Sequence, residues 1–158
     1  MVSLNELKNK DVVIFGTGLE AVRCAYYLNK QGISIKYFLN NDKKIDFFYG
    51  KPVYLPVRKQ ADNVYILIAV REIKTYLNIS KQLSDLKFRE FKDYLFYKWI
   101  DRKLVLLHGN CHMTIIKSFL ESSQNFLNKY AIYPNALIYE NKDKMIDERV
   151  LKNCDVWV

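Results

Sequence analysis

The chain has 158 residues, enough for one ordinary domain or two small ones, and half of them are hydrophobic, which predicts a packed core rather than disorder. Its longest apolar runs, such as Val64 to Val70, fall far short of the roughly 20 residues of a membrane helix, and Met1 to Lys8 lacks the basic patch and apolar core of a secretion signal. The expected location is therefore the cytoplasm. The net charge of +8 comes mostly from lysines scattered singly along the chain, so no nucleic-acid partner is expected, whereas a phosphate-bearing metabolite needs only a few such cations.

In chain order, Asp11 to Phe15 is a short apolar run of strand character, followed at once by Gly16-Thr17-Gly18-Leu19-Glu20-Ala21 and a helical pattern. Ala21, Cys24, Ala25 and Leu28 recur at i, i+3, i+4 and i+7, a narrow face of mostly small residues suited to lying on a sheet, and Gly32 is the predicted stop. Ile33 to Leu39 reads as a second strand, Asn40 to Lys44 as a turn, and Phe47 to Tyr54 as an extended excursion around Gly50 and Pro52. Val64 to Val70 has the near-continuous apolarity of a parallel strand covered on both faces. Arg71 to Leu86 carries a helical pattern through Ile73, Leu77 and Leu83, and Glu90 to Phe96 could add an edge strand or another helix.

From Lys98 the chain starts again. Lys103 to Leu107 is a predicted strand, His108 to Cys111 a loop, and His112 to Leu120 a helix with Ile115, Ile116 and Phe119 on one side. Tyr130 to Tyr133 and Asp155 to Val158 are further strands, with a helix around Asp147 to Lys152. The expected fold class is α/β: a Rossmann-like parallel sheet over residues 1–98, then a second, small and truncated α/β unit over 99–158. An apolar strand ending at Val158 suggests a missing C-terminal portion of the same protein or an edge covered by a second copy in a homodimer.

Gly16, Thr17 and Gly18 form the first candidate site. In such a turn the first glycine permits the tight bend, the second lets a phosphate approach the backbone, and a small third residue, here Ala21, lets the helix pack on the strand. The helix dipole and free N–H groups then face the anion. A nicotinamide-dependent dehydrogenase normally places Asp or Glu at the end of the second strand, where this chain has Asn40 and Asn41, with Asp42 two positions late. Asn40 can still hydrogen-bond a hydroxyl, so a nucleotide, a nucleotide-sugar or coenzyme A is favoured over NAD or NADP. The alternative is a glycine turn that only connects strand and helix.

Val13 to Gly18, Phe38 to Asp42, Tyr49 to Tyr54 and Tyr65 to Val70 together make residues 1–95 resemble the N-terminal nucleotide-binding domain of bacterial sugar O- and N-acyltransferases and related polysaccharide-biosynthesis proteins. The resemblance implies a nucleotide-sugar ligand or a structural role for this region.

The second candidate site is Leu106-Leu107-His108-Gly109-Asn110-Cys111-His112, a thiol flanked by two histidines where a strand gives way to a helix. Helix N–H groups and dipole there would lower the pKa of Cys111 and make it a nucleophile or a thioester contact. Alternatively, Cys111 simply fills a tight junction, and His112 is a core or boundary residue. No metal site is expected, since His108 and Cys111 share a tight loop with no carboxylate nearby. Cys24 and Cys154 are expected to be structural thiols. Gly109 to Cys111 resembles the Gly-Asn-Cys-Gln motif of WcbI-like capsular polysaccharide acetyltransferases, with His112 in place of Gln, and Asn153 to Val158 is similar to the next strand of that family. That resemblance implies acetyl transfer from acetyl-coenzyme A to a sugar hydroxyl, with Cys111 and His112 as catalytic residues and Gly109 and Asn110 as coenzyme contacts. The other readings are a NAD(P)-dependent oxidoreductase or epimerase acting on a nucleotide-sugar, and a non-catalytic binding or assembly module.

Overall fold

The computed structural model of the chain describes residues 2–42, 44–57, 63–109, 112–134 and 148–158. It is a mixed α/β structure that divides into two compact units, Met1–Ile100 and Asp101–Val158. Among the described residues no helix is long and apolar enough to cross a membrane.

The first unit opens with α1 (Leu4–Leu7), a single turn closed by a reciprocal cap. The Glu6 N–H donates to Ser3 Oγ at 3.3 Å, and the Ser3 N–H donates to the Glu6 carboxylate at 2.8 Å, so two N–H groups that the helix itself cannot use are satisfied. Leu7 at its end is fully buried. There follow β1 (Asp11–Phe15), α2 (Leu19–Lys30), β2 (Ile35–Leu39), β3 (Phe47–Phe48), β4 (Lys51–Tyr54), β5 (Val64–Ile68), α3 (Ile73–Asp85) and β6 (Tyr94–Phe96).

These six strands make one sheet in the order β3-β4-β2-β1-β5-β6, parallel throughout except for the β3–β4 hairpin. Val12 to Phe15, Ile66 to Ile68 and Leu95 are essentially inaccessible, as strands covered on both faces should be, which is why their sequences run apolar without alternation. From β1 the chain first builds outward through β2 and β4, then returns to β1's other side to lay down β5 and β6. The connections leaving β1 and β5 therefore diverge, and the ends of these two strands border a natural crevice.

α2 buries Ala21, Cys24, Ala25 and Leu28, the face its sequence spacing predicts. It ends where Gly32, at φ +71°, donates to the Asn29 carbonyl while the Ile33 N–H reaches back to Leu28. Gly32 adopts that left-handed conformation without penalty, and the buried Ile33 and Leu28 side chains complete the stop. Burial holds the Cys24 thiol far above its ordinary pKa. Cys24 should accordingly resist iodoacetamide in the folded protein and react only on unfolding; quantitative labelling under native conditions, followed by mass spectrometry, would contradict this placement.

α3 departs from the sequence expectation. It buries Tyr76, Ile79 and Leu83, while Ile73 and Leu77 are 37% and 42% exposed. The inward face is rotated because Tyr76 carries more apolar area than either aliphatic residue and has a partner for its hydroxyl. Its ring packs 5.0 Å from both Phe96 and Trp99, and its hydroxyl donates to the Glu90 carboxylate. The segment Glu90 to Phe96, open between strand and helix on sequence, resolves into a bend and β6.

The second unit has a three-stranded parallel sheet in the order β8-β7-β9, from β7 (Lys103–Leu106), β8 (Tyr130–Ile132) and β9 (Val156–Trp157). Between the strands lie α4 (His112–Ser122), α5 (Gln124–Lys129) and α6 (Glu148–Asn153). β7 is central, and Leu104 to Leu107 are buried. The face of α4 read from the sequence exists as a stripe but is not buried: Ile115 is 69% and Phe119 79% exposed.

Candidate functional site

Only Gly, Thr and Gly separate the last residue of β1 from the first residue of α2. The turn works because Gly16 takes φ +128°, and a Cβ built there would lie 2.7 Å from the Ala69 carbonyl oxygen. No L-side chain fits that conformation comfortably and none fits that space. The turn is locked on both sides, since the Gly16 N–H donates to Leu39 at 2.8 Å and the Ala69 N–H donates to Phe15 at 2.9 Å. Gly18 is different. As the N-cap of α2 it has φ −106°, which any residue can adopt, and a Cβ there would meet nothing within 4 Å. Gly16 is required by the fold, and Gly18 is not.

The Ala21 and Val22 N–H groups both donate to the Gly18 carbonyl, while those of Thr17, Gly18, Leu19 and Glu20 make no backbone hydrogen bond among the described residues. The same residues line a cleft of about 620 Å3, walled on one side by the turn and the first residues of α2 and on the other by Ala69 to Glu72 with Thr75. Its size is that of a small-molecule pocket. It lies where the connections from β1 and β5 diverge.

The charges in the cleft fall into two sets. Glu20 is only 8% exposed. It accepts from Arg23 Nη1 at 2.5 Å, from Lys98 Nζ at 3.3 Å and from the Tyr97 hydroxyl. Burial works against its charge, but the hydrogen bonds from Tyr97, Lys98 and Arg23 together outweigh burial and hold the carboxyl below the ordinary glutamate range. Burial, and then the bond to Glu20, push the Tyr97 phenol up, so it remains the proton donor of the pair. Arg71 and Glu72, on the opposite wall, make no side-chain ion pair or hydrogen bond with a described residue, and Glu72 does not cap α3 although it occupies the cap position.

Of the residues singled out from sequence, Gly16, Thr17 and Gly18 come together in this cleft. Asn40 touches the turn rather than the cavity: its Nδ2 donates to Thr17 Oγ1 at 2.7 Å, and its Oδ1 accepts the Asp42 N–H at 3.2 Å. Asn110 and Cys111 lie outside the described residues. His112 is the exposed first residue of α4. Exposed His108 donates its N–H to the Val158 carbonyl at 2.8 Å. Gly109 is half-buried, and a Cβ there would meet the Met113 side chain at 2.7 Å, a contact a flexible methionine can relieve.

Sequence reasoning missed Glu20, Arg23, Arg71, Glu72 and Thr75. A signal for two of them was present: Arg71 and Glu72 are the first charged residues after the apolar run Val64 to Val70, and in a parallel sheet the residues just past a strand's C-terminal end are those that can face a ligand. Comparison of the chain with protein-family models, with curated proteins and with solved structures finds no match.

Proposed function

We propose that the first unit is a Rossmann-like small-molecule-binding module whose Gly16-Thr17-Gly18 turn holds the phosphate of its ligand. The observation that carries this reading is the contrast between the two glycines. Gly16 is explained by backbone geometry, but Gly18 has neither a positive φ nor a neighbour that a side chain would strike. A bare backbone at that point, beside free N–H groups and a cleft, suits the close approach of an anion. Strand order supports the same reading, because the cleft sits at the switch between β1 and β5.

Among phosphate-bearing ligands, the resemblance of residues 1–95 favours a nucleotide or nucleotide-sugar. On the companion resemblance, the second unit belongs to an acetyltransferase using acetyl-coenzyme A in cytoplasmic bacterial glycan biosynthesis, with Cys111 at the thioester.

Thermal unfolding of the full chain against coenzyme A, acetyl-coenzyme A, NAD, NADP and a set of UDP- and CMP-sugars tests both parts, since a ligand of the native state raises the melting temperature. Gly18→Val should abolish the shift at the first site while lowering stability by only about 1 kcal/mol, the usual scale of a change at an N-cap. A shift that survives Gly18→Val, or a variant that fails to fold, would remove the basis of the proposal. Loss of a coenzyme A shift on Cys111→Ala would support the transferase reading of the second unit.

A further inference from the structure

The cleft is one-sided. Its walls come from the turn after β1 and from the segment after β5, and among the described residues neither β2 nor the turn that follows it contributes. A dinucleotide bound across a switch point uses both sides, with the adenosine ribose over the end of the second strand, where a carboxylate receives its hydroxyls. Here that position is Asn40, whose backbone N–H, amide nitrogen and amide oxygen each already hold one hydrogen bond. The backbone N–H donates to the Tyr54 carbonyl at 3.0 Å, the amide nitrogen to Thr17 Oγ1 at 2.7 Å, and the amide oxygen accepts from Asp42 at 3.2 Å. An amide has one acceptor atom where a carboxylate has two, so Asn40 cannot receive a vicinal diol while it holds this turn.

We propose that Asn40 is a specificity-determining residue that ties the glycine turn to the end of β2 and closes that side to a ribose. The ligand is then a phosphate ester held wholly between the glycine turn and the Arg71–Glu72 wall, not an adenine dinucleotide. This rests on the phosphate-binding reading of the cleft and narrows it. Arg71 supplies a planar donor array for a phosphate oxygen, and the Glu72 carboxylate is an acceptor for hydroxyls of the esterified group. The sugar-phosphate chemistry common to a free sugar phosphate and to a nucleotide-sugar meets both requirements.

Calorimetric titration of the full chain with glucose 1-phosphate, UDP-glucose, inorganic phosphate and NAD tests this, using wild type and Asn40→Asp. The wild type should bind glucose 1-phosphate or UDP-glucose at least tenfold more tightly than NAD, and whichever of the two binds better identifies the source of the phosphate. Asn40→Asp should raise NAD affinity about tenfold or more, the scale of hydrogen bonds to a charged acceptor, and so narrow or reverse the preference for the sugar phosphates over NAD. If Asn40→Asp does not fold, Asn40→Ser opens the same side with a short hydroxyl and should raise NAD affinity several-fold by removing the obstruction. Wild type that binds NAD as tightly as the sugar phosphates overturns the inference and leaves the phosphate site intact, and so does a folded Asn40 variant with no gain for NAD. Failure of all four ligands to bind any of the folded proteins overturns the phosphate site itself, and this inference with it.

Discussion

Gly16→Ala is expected to destabilise the first unit by about 2–6 kcal/mol. Two effects add. A non-glycine residue at φ +128° is strained by about 1–3 kcal/mol, and a Cβ 2.7 Å from the Ala69 carbonyl oxygen must push β1 and the end of β5 apart, an overpacking effect of about 1–3 kcal/mol. The neighbour that would have to move is backbone, held by the Ala69–Phe15 hydrogen bond, so relaxation at no loss is not available. Urea denaturation followed by circular dichroism should show a lower midpoint with an unchanged slope. An unfolding free energy within about 0.5 kcal/mol of wild type, the range of ordinary surface changes, would mean that the turn does not have the conformation described. Paired with Gly18→Val, the experiment separates a glycine needed by the fold from one free for a ligand.

The second large effect centres on Glu20. Removing one partner from a buried ion pair typically destabilises by about 3–5 kcal/mol, but the Lys98 and Arg23 side chains are 35% and 63% exposed and regain water when Glu20 is lost. Glu20→Ala is therefore expected to lower stability by about 1–3 kcal/mol. The pH dependence has a definite sign. Because the folded pKa of Glu20 lies below its unfolded value, its contribution is fully present above the ordinary glutamate pKa of about 4.3. It fades as pH falls through the folded value. Comparing wild type with Glu20→Gln should thus give a stability gap at pH 7 that narrows below about pH 4. A gap that widens in acid would show that the carboxyl is not held by Tyr97, Lys98 and Arg23.

What could be read from the chain alone followed from how local the cause was. β1, β5 and the packing face of α2 carry their signals in contiguous residues: unbroken apolar runs for doubly covered strands, and small residues at helical spacing followed by Gly32. The Ser3-Leu4-Asn5-Glu6 cap is equally legible as a serine followed three residues later by glutamate. The rotation of α3 was less accessible, because Tyr76 turns inward for partners at Glu90, Phe96 and Trp99, which the fold brings to it from later in the chain. The Glu20 cluster has the same character: Tyr97 lies 77 positions away in sequence, and nothing local to Glu20 marks it for burial. Asn40 was recognised by position but not by what it holds, since the Thr17 hydroxyl becomes its neighbour only once β1 and β2 pair.

The outer strands of the first sheet bear on how the molecule behaves in a crowded solution. The interior strands β1, β2 and β5 each have five residues, whereas the strands at the two ends, β3 and β6, have two and three. A long exposed edge offers a row of unpaired amides on which another chain can grow, the first step towards cross-β aggregation. The central strands of this sheet are apolar and β-branched, the composition that makes a segment hazardous if it is left at an edge. The chain places them inside the sheet between two short margins, so the segments best able to polymerise are paired on both sides over at least part of their length.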